Sequence, residues 1–209
     1  MPKPPSPETL AELLVRIRTC TACRGLPLGP RPVIQAHTDA RVAVIGHAPG
    51  RLVHASGIPW DDLSGGRLRE WLVVSKREFY DPKKFALVGM GFCYPGTGKT
   101  GDLPPRAECA PLWHEEVFSR LRGDMPKVLI GRYALDYYLG KRARKTLTET
   151  VKAWNEYLPD YLVLPHPSGR NNGWLAKNPW FERDALPRMR AVLRKSLSAN
   201  PVILQKAGR

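Results

Sequence analysis

Residues 41–50 read Arg41-Val42-Ala43-Val44-Ile45-Gly46-His47-Ala48-Pro49-Gly50, an apolar run that passes directly into a turn of small residues. A short, unbroken apolar run of this kind is typical of a strand buried on both faces of a parallel sheet. Three further runs have the same character, at residues 85–90, 127–131 and 161–164. The sequence therefore predicts four strands of one sheet.

Segments with helical patterns lie before, between and after these runs. The predicted helices are Glu8–Thr19, Gly66–Ser75, Pro111–Arg122, Arg132–Leu139 and Phe181–Lys195, the last with a kink at Pro187. Because strands alternate with helices, we predict a three-layer α/β/α fold with a central four-stranded, mainly parallel sheet. We expect a single domain over residues 8–195, a disordered leader at 1–7 and a basic tail at 196–209.

The composition favours a nucleic-acid partner. The 209 residues include 33 Lys and Arg against 19 Asp and Glu, a formal net charge of +14. Such a surplus binds polyanions through counterion release. No apolar run approaches the roughly 20 residues that span a bilayer, and the N-terminus has no signal-peptide core. We expect a cytoplasmic protein, without membrane contact, that acts as a monomer.

Four cysteines suggest one metal site. Cys20 and Cys23 form a C-x-x-C pair, and Cys93 and Cys109 follow in separate segments. Four thiols with none left over fit a four-thiolate site assembled from distant parts of the chain. Zinc ribbons usually use two C-x-x-C knuckles, whereas this chain has one, which favours an iron–sulfur cluster. Zinc, or four unrelated buried thiols, remain the alternatives.

The unusual loops begin where the predicted strands end. Gly46–Gly50 leaves the first strand, Gly91-Phe92-Cys93 the second and Pro165-His166-Pro167-Ser168 the fourth. In open α/β sheets the ligand crevice lies outside the carboxyl ends of the strands, so one cleft should collect these loops. The stretch Gly96-Thr97-Gly98-Lys99-Thr100 lacks the first glycine of a P-loop and a following helix, and we interpret it as a basic loop.

Together these elements resemble the uracil-DNA glycosylase superfamily, particularly its iron–sulfur, family 4-like branch. The cysteine spacing matches that branch. Gly46-His47-Ala48-Pro49-Gly50 is similar to its G-E-A-P-G motif, and Gly57-Ile58-Pro59-Trp60 to its G-x-P-F. The stretch His166-Pro167-Ser168-Gly169-Arg170-Asn171 resembles the H-P-S-P-R-N of the single-strand-selective glycosylases. The resemblance covers nearly the whole chain, from about Cys20 to Leu193.

The resemblance implies a DNA glycosylase of base excision repair that flips a damaged base out of single- or double-stranded DNA. His166 would stabilise the departing base, and the attacking water would be handled by His47, Asp61 or Asp62. A [4Fe–4S] cluster would be held by Cys20, Cys23, Cys93 and Cys109. The implied substrate-binding residues are Gly46, Ala48, Pro49, Gly50, Trp60, Ser168, Arg170 and Asn171.

Three departures from the family motifs affect the expected substrate. His47 replaces an acidic or amide residue, Gly169 replaces a proline, and residues 85–92 contain no counterpart of the uracil-reading Asn. We therefore predict excision of uracil or a related deaminated base. The alternatives are a glycosylase for another lesion, such as hypoxanthine or xanthine, and a non-catalytic iron–sulfur protein that binds nucleic acid on the same fold.

Overall fold

The four predicted strands form one parallel sheet in the computed structural model, which describes residues 8–99 and 101–198. The strands of the chain are, in order, β1 (Val42–Gly46), β2 (Phe85–Gly89), β3 (Thr97–Gly98), β4 (Gly101–Asp102), β5 (Lys127–Ile130) and β6 (Tyr161–Leu164). The sheet has the order β2-β1-β5-β6, and each neighbouring pair is parallel. The prediction of a mainly parallel four-stranded sheet is confirmed.

The strands are apolar because both faces of the sheet are covered. Val42, Ala43, Val44 and Ile45 have no exposed surface, and the three other strands of this sheet are buried except for one partly exposed end residue each. Fully burying a side chain of this size contributes about 1.5–3 kcal/mol, so the sheet is the centre of the core. Chain order reverses between the neighbours β1 and β5, which places the expected ligand crevice at their carboxyl ends.

Nine helices surround the sheet within the described ranges. They are α1 (Leu10–Arg18), α2 (Arg51–Ser56), α3 (Leu63–Leu72), α4 (Lys76–Phe79), α5 (Cys109–Ser119), α6 (Arg132–Leu139), α7 (Leu147–Lys152), α8 (Asn172–Lys177) and α9 (Leu186–Ser198). The short helices α2, α4, α7 and α8 have no counterpart among the predicted ones. With the sheet they form the three-layer α/β/α arrangement.

The bounds of several helices differ from the predicted ones by two or three residues, and two of the differences have identifiable causes. Helix α3 begins at Leu63 rather than residue 66, because the Asp62 carboxylate accepts a hydrogen bond from the Gly65 N–H at 2.7 Å and caps it. The last predicted helix divides into a π-helical turn (Phe181–Ala185) and α9. This turn continues directly into α9, so Pro187 lies just after a π-helical turn, an irregularity that accompanies its missing N–H.

The predicted ends of the chain fall mainly beyond the described ranges. Helix α9 continues to Ser198, so the first three residues of the predicted tail are helical. The predicted leader, 1–7, and residues 199–209 lie outside the described residues. Among the helices that the structure describes, none combines the length and the apolar character needed to span a membrane.

A small hairpin replaces the loop predicted after the third cysteine. Strands β3 and β4 pair antiparallel, with Thr97 opposite Asp102 and Gly98 opposite Gly101. A P-loop runs from a strand into a helix, so this hairpin has a different architecture. It projects from the segment between Cys93 and Cys109 toward the carboxyl edge of the sheet.

Candidate active site

A cavity of about 320 Å³ opens at the carboxyl ends of β1, β2 and β6. This volume lies at the lower end of the range of small-ligand pockets, about 300–1,000 Å³. Ten of the predicted site residues line it: Gly46, His47, Ala48, Pro49, Gly50, Trp60, Asp62, His166, Ser168 and Arg170. The remaining lining residues are Val33, Val53, Pro59, Ser64, Leu87, Gly89 and Asp102.

His166 stands directly after β6 in a fixed position. The Asn171 side-chain amide donates to the His166 carbonyl oxygen at 2.7 Å, which holds the loop closed on itself. The imidazole of His166 stacks beside the indole of Trp60, with ring centroids 5.8 Å apart and 28° between the ring planes. Burial, with a smaller effect of the neighbouring His47, lowers the pKa of His166 to about 4. The ring is therefore neutral at pH 7 and carries one N–H donor.

His47 occupies the turn after β1. Its ring meets Tyr133 edge-on, with centroids 5.4 Å apart. Burial lowers the pKa of His47, and the negative charge of Asp102 opposes that shift by favouring the protonated form. His47 thus lies between a second histidine and a carboxylate. The arrangement places proton-accepting groups beside the donor on His166.

Trp60 has a backbone conformation that is unusual for its residue type. Its φ is 60°, in the left-handed region, where a residue other than glycine costs about 1–3 kcal/mol and often marks a functional site. The indole lies directly against Gly46, and a Cβ added at Gly46 would overlap it. A Cβ at Gly65 would likewise overlap the Trp60 backbone. Two glycines therefore allow the indole to reach the cavity.

The two neighbouring carboxylates Asp61 and Asp62 have different positions. Asp62 lines the cavity, but its Oδ1 is engaged in capping α3. Asp61 is absent from the cavity lining and lies 3.8 Å from the Lys76 ammonium. The structure therefore brings Asp62 to the site and places Asp61 beside a surface lysine.

The segment after His166 closes one side of the cavity. The Ser168 carbonyl oxygen accepts a hydrogen bond from Arg67 Nη1 at 3.3 Å. The Arg170 guanidinium packs against Gly101, where an added Cβ would overlap it. Asn171 lies outside the cavity lining and contacts the His166 backbone instead. This predicted contact residue thus supports the loop that carries His166.

Asp102 is a cavity residue that the sequence motifs do not indicate. It lies on β4, and a Cβ added at Gly50 would be 3.2 Å from its Oδ2. The hairpin that carries it has two residues in each strand, too few for any periodic pattern. The one available signal is its place between the third and fourth cysteines.

A second, smaller cavity is lined by all four cysteines. Cys109 is buried, and this burial raises its pKa to about 12, with a smaller contribution from the charges of the other three cysteines and an opposing one from the Phe92 N–H. The Phe92 N–H donates to Cys109 Sγ at 3.3 Å, and Arg106 Nε is buried beside them with no partner among the described atoms. The three segments that carry the four cysteines thus meet at one cavity.

The chemistry of this cavity is that of a four-thiolate metal site. Four thiols line it, a backbone N–H donates to one of them, and the Arg106 Nε has no partner among the described atoms. Within residues 8–99 and 101–198, no group of three or more His, Cys, Asp or Glu side chains is arranged to hold a metal ion. The donor set fits a zinc ion or an iron–sulfur cluster by its residue types.

A comparison with protein families finds one match. The model described as the uracil DNA glycosylase superfamily matches residues 34–190, about three quarters of the chain. The matched region contains the whole lining of the larger cavity except Val33. Cys20 and Cys23 precede it, so the match bears on the fold and the cavity and not on the cysteine site.

Proposed function

The chain belongs to the uracil DNA glycosylase superfamily, and on that premise we propose that it hydrolyses the N-glycosidic bond of uracil, or of a related deaminated base, in DNA. One observation carries the proposal. A neutral histidine donor, His166, faces a turn of small residues, Gly46–Gly50, inside a cavity sized for one small ligand.

The chemistry needs a donor at the departing base. Breaking the bond between C1′ of the sugar and the base nitrogen leaves negative charge on the base and positive charge on the sugar. A neutral His166 N–H directed at a carbonyl oxygen of the base stabilises that anion as an oxyanion hole does. Because its pKa is about 4, His166 keeps this neutral form throughout the physiological range. Backbone N–H groups of the Gly46–Gly50 turn are the second source of donors.

The base must leave the duplex to reach these groups. Extruding a nucleotide costs a few kcal/mol, which stacking inside the pocket partly offsets. Trp60 is the aromatic side chain at the cavity with an apolar face for this purpose. Its close approach to Gly46 and its stacking beside His166 place the indole at the cavity before substrate arrives.

Replacing Trp60 by Ala should therefore weaken capture of the flipped base. We expect a loss of about 1–3 kcal/mol in binding to DNA that contains the target base, the value of one base–aromatic stack. Affinity for undamaged DNA should be unchanged. Equilibrium titration of both DNAs measures the difference, and equal weakening for both would show that Trp60 serves DNA binding in general.

The end of β2 bears on which base the cavity would accept. Gly89 lines the cavity there, and the residues after it, Met90 and Gly91, carry no amide. The cavity therefore presents backbone where a side chain would read the base edge. This observation favours a second candidate, a glycosylase for hypoxanthine or xanthine.

One assay tests both candidates. Purified protein is incubated with oligonucleotides that carry uracil, hypoxanthine or xanthine, and the abasic sites are then cleaved with alkali. Oligonucleotides with normal bases at the same position are the control. Strand cleavage at uracil supports the first candidate, and cleavage confined to a purine lesion supports the second. Binding without cleavage on any of them would contradict both and favour a non-catalytic DNA-binding protein.

DNA binding should depend steeply on salt. The net charge of +14 implies several phosphate contacts, and each one releases a counterion. We expect the logarithm of the affinity to fall linearly with the logarithm of the salt concentration, with little dependence on sequence. Titrations of one duplex and one single strand at several salt concentrations measure the slope. A slope near zero would contradict this prediction.

We further propose that Cys20, Cys23, Cys93 and Cys109 hold a [4Fe–4S] cluster. The four thiols line one cavity, and a backbone N–H and the Arg106 guanidinium are available to its sulfurs. When bound, such a group supplies a redox-capable metal centre and a rigid connection between segments. Here the connected parts are the residues after α1, the loop after β2 and the start of α5.

A further inference from the structure

Three carboxylates lie near the mouth of the cavity, and their surroundings differ. Asp61 lies beside Lys76, and Asp62 uses Oδ1 to cap α3. Asp102 lines the cavity, and within the described chain its side chain accepts one hydrogen bond, a long one of 3.5 Å from Thr97 Oγ1. Of the three, Asp102 has the carboxylate best placed to accept a proton from water.

The position of Asp102 is defined by its neighbours. Its Oδ2 lies next to Gly50, the last residue of the turn that follows β1. It is also close enough to His47 for its charge to favour the protonated form of that ring. The Arg170 guanidinium packs against Gly101, the residue before Asp102 in the hairpin. Asp102 is therefore an exposed residue of the cavity lining, beside the end of the Gly46–Gly50 turn.

We propose that Asp102 is the general base of the hydrolysis, an assignment that rests on the proposed function. A water molecule attacks C1′ while its proton passes to the Asp102 carboxylate. The oxygen of that water forms the new bond to C1′, and the electron pair of the breaking bond leaves with the base, whose oxygen accepts the His166 hydrogen bond. The negative charge of Asp102 also stabilises the positive charge on the sugar.

This role gives the acidic or amide residue that the first family motif carries a replacement elsewhere in the chain. His47 occupies the motif position, and burial lowers the pKa of its ring. The carboxylate comes instead from the hairpin, which lies between Cys93 and Cys109 in the chain. A metal centre held by the cysteines would therefore anchor the chain on both sides of the hairpin that carries the general base.

The principal test is single-turnover excision by Asp102→Asn, which keeps the shape and removes the charge. We expect a loss of about 100-fold or more, the usual size of a general-base contribution, with DNA affinity within a few-fold of wild type. Asp39→Asn is the matched control, because Asp39 is an exposed aspartate that pairs with His37 away from the cavity. Its rate should equal that of wild type.

A second measurement separates a catalytic role of Asp102 from a structural one. A structural role is conceivable because Asp102 lies next to Gly50, the residue that precedes α2. Asp102→Ala should regain activity when formate is added, since this small carboxylate can occupy the space of the lost side chain. Sodium chloride at the same ionic strength should give no such gain. Asp102→Asn with nearly wild-type excision, or a slow Asp102→Ala that has a lowered melting temperature and no response to formate, would overturn the assignment. An inactive wild type would instead overturn the proposed function, and the assignment with it.

Discussion

Replacing His166 by Ala should slow release of the base about 100- to 1000-fold. This is the typical cost of removing one preorganised donor to a developing oxyanion. His166 is held by Asn171 from behind and by Trp60 at its side, so the donor needs no reorganisation during the reaction. Because its pKa is about 4, the loss should be the same from about pH 6 to 8. Single-turnover excision on a substrate oligonucleotide measures the rate.

The control for this variant is His37→Ala. His37 is half-exposed, pairs with Asp39 at 3.6 Å and lies outside the cavity lining, so its removal should leave excision unchanged. DNA affinity of His166→Ala should stay within a few-fold of wild type, since the ring faces the base and not the phosphates. Full activity of His166→Ala would show that the leaving group is stabilised from another loop, with the Gly46–Gly50 turn as the first alternative.

The sheet and the cavity could be predicted from the sequence because their signals are strong. Four short apolar runs are unmistakable when both faces of a sheet are buried, and parallel strands bring their carboxyl ends to one edge. The turn after Gly46 and the loop that begins at His166 therefore had to lie near each other. The four cysteines were expected at one site for a different reason, since a four-thiolate site needs them together.

Other parts of the site depend on single contacts that leave no pattern in the sequence. Asp61 and Asp62 are adjacent and chemically identical, and the capping of α3 decides which of them reaches the cavity. Asp102 depends on a hairpin of two-residue strands. The conformation of Trp60 depends on the absence of a Cβ at Gly46 and Gly65, which is a property of packing and not of local sequence. These positions are decided by contacts between distant parts of the folded chain, so they could not be predicted from the sequence.

Replacing Cys109 by Ala should have a large effect on stability. Cys109 is the most buried of the four cysteines and begins α5. A cluster that links Cys23 to Cys93, about 70 positions apart, would constrain the unfolded chain by about 4 kcal/mol, by analogy with a disulfide closing a loop of that length. For a domain of this size that corresponds to a fall in melting temperature of about 10 °C.

Excision should also fall in Cys109→Ala, because the hairpin that carries Asp102 loses one of its anchors. The measurements are iron content, visible absorbance and thermal unfolding of protein purified without oxygen, with about four irons per wild-type chain.

The matched control is Val117→Ala, a change at a fully buried position in the same helix. It should lower stability through the loss of packing and keep the iron. Cys23→Ala, at a less buried position, provides a second variant if Cys109→Ala does not fold. Colourless wild-type protein with one zinc per chain would contradict the cluster. Wild-type protein that contains no metal, with Cys109→Ala equally stable, would show that the four thiols bind no metal.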